Sequence, residues 1–186
     1  MTFNDILMQK RAAILDHWRN SIVESYPPNT SKFLNGEKDR FNNPVGDTMR
    51  CDTEIIIDHL FSNKRFNGTH QFPQGLIKIR GVQDFSAAEA VSFIFELKKV
   101  VSEELRTDIE QFLADFLELE TRIDELALVA FDAYMKSRET VHEIRIGEIK
   151  RISKMALRAG GYEDDNSNKV QKENWNGENS RKTGGY

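Results

Sequence analysis

Four histidines, His17, His59, His70 and His142, are the side chains best suited to move a proton near neutral pH or to ligate a metal. They are dispersed, and no two fall at the i,i+4 spacing that sets a pair of imidazoles on one helix face, so no metal site is expected. A haem asks for only one axial histidine in a helical pocket, and spacing does not dismiss it. His59, beside apolar Leu60 and Phe61, is the first candidate for that role and His70 the second. Against this stands the ordinary use of a lone histidine as a structural or solvent-facing group, and the expected cofactor complement is none. Cys51 is the only cysteine and has no histidine at a spacing that would activate it. The eleven glycines never fall into the strand-turn-helix setting of a phosphate-binding loop. Glu103, Glu104, Asp108 and Glu110 read as solvated helix faces rather than an acid-base pair. No catalytic set emerges, and the chain reads as non-enzymatic.

The elements that carry these residues are helical. Over 108–152 an apolar residue recurs every three or four positions, in the seam Ile109, Phe112, Phe116, Leu119, Ile123, Leu126, Ala130 and Ala133, with Val141, Ile144, Ile149 and Ile152 beyond it. This spacing makes one helix face, narrow enough to pair with another helix as in a coiled coil. A helix of that length outruns a small domain, so a second copy or a partner is expected to cover part of it.

Ahead of it, a helix is expected over 4–25, with Ile6, Ile14, Trp18, Ile22 and Val23 on one face, stopped by Pro27-Pro28. Residues 29–46 read as loop, and Asp47 or Thr48 as the cap of a helix reaching about 63. The β-branched run Ile55-Ile56-Ile57 allows a strand, but Met49, Ile56, His59 and Leu60 fall at helical intervals. A short helix over 76–82 follows a loop marked by Gly68 and Pro73. Ser86 with Glu89 then forms a capping box that opens a helix over 87–106, striped by Ala90, Ile94, Leu97 and Val101 and broadened by Phe93 and Phe95. This helix and the long one should make an antiparallel hairpin. The expected organisation is a domain over 1–158 and a disordered tail over 159–186, in which Trp175 is either a docking anchor or an unused residue.

A chain of 186 residues suits one domain. Its net charge of -4 gives no overall attraction to nucleic acid. No signal sequence and no span-length apolar run is seen, so no direct membrane insertion is expected, and with one cysteine the expected location is cytoplasmic. Lys150, Arg151, Lys154 and Arg158 complement the negative end of the long helix, with an acidic protein or a phosphate as the alternative partner.

Three stretches together carry a resemblance. They are Trp18 with Tyr26-Pro27 and the loop Asp39-Arg40-Phe41-Asn42-Asn43-Pro44-Val45-Gly46; Ile79-Arg80-Gly81-Val82-Gln83-Asp84-Phe85-Ser86 leading into Ala90-Val91-Ser92-Phe93-Ile94-Phe95-Glu96-Leu97-Lys98; and Ile123-Asp124-Glu125-Leu126-Ala127 with Phe131-Asp132-Ala133-Tyr134-Met135, continuing through Arg138-Glu139 to Arg145-Ile146-Gly147-Glu148-Ile149-Lys150-Arg151. In this order, over about 5–152, the chain resembles the N-terminal domain family of the RsbT co-antagonist RsbRD, a bacterial sensory family. The resemblance implies an all-α, globin-like helical domain that generally works without haem and often forms a homodimer. In stressosome-type proteins such a sensor precedes a phosphorylatable STAS domain, which nothing after Arg158 is long enough to supply. The chain looks more like stand-alone members associated with the DsrMKJOP membrane redox complex of dissimilatory sulfite reduction.

Within this frame Phe41, Asn43, Pro44 and Gly46 form a crossing between helices, with Pro44 fixing the chain and Gly46 allowing a tight turn; the reading is architectural, with a ligand site as the alternative. Arg80, Gln83 and Asp84 form a polar cluster near a helix start that either receives an anion or merely caps. Tyr134, Arg138, His142 and Arg145 share a helix face that is either a docking surface or solvated. Gly147 is a candidate hinge, since glycine weakens a helix by about 1 kcal/mol relative to alanine. The expected function is that of a non-enzymatic sensory or regulatory protein acting through a homodimer and a protein partner. The alternatives are an accessory subunit of the sulfite-reduction membrane complex and a haem-bound gas or redox sensor.

Overall fold

The structure is a computed structural model and describes residues 1–36, 41–62, 64–66, 68–83 and 85–160. Among these are six α-helices and no strand: α1 Phe3–Glu24, α2 Pro28–Gly36, α3 Pro44–Phe61, α4 Gly75–Val82, α5 Ala87–Glu104 and α6 Leu113–Ala159. The chain divides into two units, Met1–Val141 and His142–Tyr186. The all-α architecture with a long C-terminal helix is as expected, and the proposed tail lies outside the described residues from 161 onward, Trp175 included.

In the first unit α1 is the hub, packed against α5, α3 and α2. Thr2 and Asp5 close a capping box at its start. Ile6, Ile14, Trp18, Ile22 and Val23 are all buried. Trp18 anchors the pairing with α5: its indole N–H donates to the Phe93 carbonyl at 2.6 Å, and the two rings stack at 6.0 Å. A buried tryptophan needs such an acceptor, because an unmet N–H would offset part of what the ring contributes by leaving water. The expected capping box of Ser86 and Glu89 opens α5, where Phe93 points inward while Phe95 is exposed, so only the first broadens the apolar stripe.

Three stretches differ from expectation. Residues 28–36, read as loop, form α2, because Pro28 occupies the first turn of a helix, where its missing N–H has no partner to lose. The Ser31 hydroxyl donates to the carbonyls of Val23 (2.8 Å) and Tyr26 (2.9 Å), joining the start of α2 to the end of α1. The cap of α3 is Asn43 rather than Asp47 or Thr48, and Pro44 again sits in the first turn. Gly46 lies inside that turn, where a Cβ would collide with the Asn43 amide, so its smallness serves the cap and not a tight turn. The long helix starts at Leu113, since residues 105–112 form turns between α5 and α6. Lys10 holds those turns, donating to the carbonyl of Glu104 at the end of α5 and to the Asp108 carboxylate at 2.9 Å. The hairpin of α5 and α6 is antiparallel: Lys98 meets Asp124 at 3.0 Å, while the earlier Phe85 meets the later Tyr134.

Asn43 is fully buried and serves two helices, donating to the Leu34 carbonyl at 3.0 Å and accepting from the Gly46 N–H at 2.8 Å. Asn43→Ala should therefore destabilise the first unit by about 2 kcal/mol or more, read from the urea midpoint.

Asp52 of α3, also buried, caps α4 from outside by accepting the Leu76 N–H at 2.6 Å. Burial raises its carboxyl above the usual 3.8, against the lowering pull of the Leu76 and Gly75 N–H donors. The folded state thus holds that proton more tightly than the unfolded chain. Its contribution to stability is full below 3.8 and is lost as pH rises through the elevated folded value. Wild type should gain stability relative to Asp52→Asn as pH falls through that window, measured by urea titration at several pH values.

Candidate functional site

The apolar seam of α6 is covered by the chain itself. Phe116, Leu119, Ile123, Leu126, Ala130 and Ala133 are buried in the core of the first unit, while Ile109 and Phe112, in the turns before α6, are partly buried against it. The expectation that Ile109, Phe112, Phe116, Leu119, Ile123 and Leu126 face another molecule is therefore corrected. A three-four repeat reports that a face is covered and not by what. The exposed apolar side chains of α6 within this unit are others: Leu113, Leu117, Leu128, Phe131 and Met135.

Tyr134, Arg138, His142 and Arg145 do not make a common exposed face either. Tyr134 is buried and donates its hydroxyl to the Phe85 carbonyl at 2.8 Å. Arg138 is half-buried and donates to the Gly81 carbonyl at 3.2 Å. Gly81 lets α6 come close, since a Cβ there would stand 2.5 Å from the Ser137 hydroxyl oxygen. Only His142 and Arg145 of the four are exposed, and they belong to the second unit.

Arg80 is the centre of a buried polar cluster that reaches the first turn of α5. It is fully buried on the last turn of α4, donating to the Glu89 carbonyl and to the Ser25 hydroxyl, each at 2.9 Å. The rings of Tyr26, Phe85 and Phe93 surround its guanidinium carbon at 5.3, 4.9 and 5.2 Å, so ring faces take the place of a carboxylate. Burial lowers the tendency of Arg80 to hold its proton, and the Tyr26 hydroxyl restores part of it. Among the described residues, Arg80 Nε, Tyr26 Oη and the Oε1 of half-buried Gln83 have no hydrogen-bond partner. Asp84 lies outside the described residues. In the 41–46 crossing, Phe41 is 91% exposed and Pro44 exposed, whereas Asn43 and Gly46 are buried at the α3 cap and Val45 packs partly buried against the core.

The two candidate haem ligands, His59 and His70, stand in different settings. The His59 ring is stacked on Phe66 at 3.8 Å. His70 is exposed in a turn. Among the described residues no group of three or more His, Cys, Asp or Glu could hold a metal.

Arg122 escaped the sequence reading. It is 6% exposed and donates to the Leu60 carbonyl at 2.7 Å, satisfying an orphan group at the C-terminal end of α3. Its signal was present, since it stands three residues after Leu119 and four before Leu126, in line with the buried seam.

The second unit is described over 142–160, where 142–159 is helical and every residue is exposed, including Ile144, Ile146, Ile149, Ile152, Met155 and Leu157. The helix is unbroken at Gly147, which has no neighbour within 4 Å. No helix among the described residues is long and apolar enough to cross a membrane.

Arg80→Lys tests the planar fork, because an ammonium keeps the charge but cannot reach two partners while lying against three rings. It should destabilise the first unit by about 1–3 kcal/mol in urea denaturation.

No curated protein and no solved structure matches the chain significantly. The family model of the RsbT co-antagonist protein rsbRD N-terminal domain matches residues 12–148, well over half of the 186 residues. The matched segment runs from the middle of α1 through α2, α3, α4 and α5 into α6, and the family is one of regulatory and sensory domains. The chain belongs to the RsbT co-antagonist protein rsbRD N-terminal domain family.

Proposed function

We propose that the protein is a non-enzymatic regulator that works by protein-protein contact, with the helical second unit as the docking element and a second copy of the chain as its first partner. The observation that carries this reading is the exposure of that helix along its whole described length. Ile149, Ile152 and Ala156 follow one another at steps of three and four, the spacing that lines a two-helix seam. The basic residues Lys150, Arg151, Lys154 and Arg158 flank the stripe and favour acidic complements at its edges. Membership of a regulatory domain family supports the same reading.

The substitution pair Ile149→Asp and Ile152→Asp should convert a dimer to a monomer in light scattering while leaving the melting of the first unit unchanged. Mass spectrometry of what co-purifies with the tagged protein from its host then identifies any further partner. Kinases or STAS proteins would support signalling, and membrane redox subunits would favour the accessory role in sulfite reduction. A wild-type protein that is monomeric at micromolar concentration and retains no partner would overturn the proposal.

A further inference from the structure

Among the described residues Arg122 makes a single hydrogen bond for a guanidinium with five N–H donors, and its buried Nε has no partner there. No carboxylate of the described residues lies within ion-pair distance of it, and burial lowers its hold on its proton despite the opposing charge of Glu118 one turn earlier. A buried, underused cation of this kind is expensive to maintain, and replacing it with an apolar residue is often neutral or stabilising. Capping Leu60 uses only one of its donors.

The same residue forms part of the wall of a cleft of about 450 Å³ between the start of α1 and the start of α6. The cleft is also lined by apolar Phe3, Leu7 and Phe112, of which Phe3 and Phe112 pack their rings at 5.9 Å. Asp115 and Glu118 contribute carboxylates, both on exposed residues. Its size falls within the range of small-molecule sites, and its lining sets these apolar side chains beside the polar Thr2, Asn4 and Arg122 as well as the two carboxylates. The exposed carboxylates are screened by water and salt, whereas the buried Arg122 is not, so the local preference in the interior is for an anion.

We propose that this cleft binds a small organic carboxylate with an apolar body, the carboxylate accepting from the free donors of Arg122 and the body resting on Phe3, Leu7 and Phe112. The site is separate from the docking helix and stands or falls without it. Glu118 acts as a competing anion, one helical turn from the guanidinium.

The test uses the full chain and phenylacetate as probe, with neutral 2-phenylethanol and cationic 2-phenylethylamine as controls, followed by NMR at the Arg122 Nε–H and the backbone amides of the cleft. Phenylacetate should give saturable shifts that begin at Arg122, and the two controls should bind at least about tenfold more weakly, the scale of one charge-assisted hydrogen bond. Glu118→Gln should tighten phenylacetate binding, and Arg122→Gln should abolish it. Should Arg122→Gln fail to fold, Asn4→Trp, which fills the cleft from an exposed lining position, decides the matter by blocking the probe. Equal binding of phenylacetate and 2-phenylethanol, retention of binding in Arg122→Gln or Asn4→Trp, or no saturable shift in the millimolar range would overturn the proposal.

Discussion

Each helix ends in backbone groups that its own hydrogen-bond ladder cannot satisfy, and in the first unit several of those ends are buried. Burying them without partners would cost a few kcal/mol each, comparable to the net stability of a whole domain. The buried polar side chains answer this constraint. Asn43 serves the end of α2 and the start of α3, Asp52 the start of α4, and Arg122 the end of α3. Lys10 and Ser31, less buried, do the same for α5 and α1. Nearly every such donor or acceptor comes from a different helix, so capping and tertiary packing are one set of interactions here.

Arg80 extends that logic to a place where three elements meet. The Ser25 hydroxyl that caps α1, the Glu89 carbonyl in the first turn of α5 and the aromatic rings around them share one guanidinium. Next to it, Gly81 and Phe85 accept from Arg138 and Tyr134 of α6. A buried charge held by two acceptors and three ring faces has few alternative arrangements, because moving any one element leaves the cation without compensation. The short segment 80–85 therefore fixes the register between the α4–α5 corner and α6. It lies within the portion matched by the regulatory family.

Much of this was legible in the linear chain. The capping box at Ser86, the burial of Ile14 and Trp18, and the resemblance carried by 79–98 and 123–151 all follow from local residue types and spacing, because caps and helix periodicity involve neighbours in sequence. The helix at 28–36 was hidden by the pair Pro27-Pro28 at its start, since proline signals a helix stop and a helix start with the same residue. Asn43 was seen as part of a crossing, but its partners at Phe33 and Leu34 belong to the unrecognised helix, so its double role had no local trace.

The sequence by itself determined that the protein is helical and that α6 presents an apolar stripe, since each depends on residue types at fixed intervals. Only the tertiary structure decided which stripe is spent on the core and which remains open. The seam from Phe116 to Ala133 is covered by its own chain, while Ile149, Ile152 and their neighbours are not. The physical reason is that periodicity records the existence of a buried face, whereas the identity of what buries it depends on contacts between residues far apart in sequence, such as Arg122 with Leu60 and Tyr134 with Phe85.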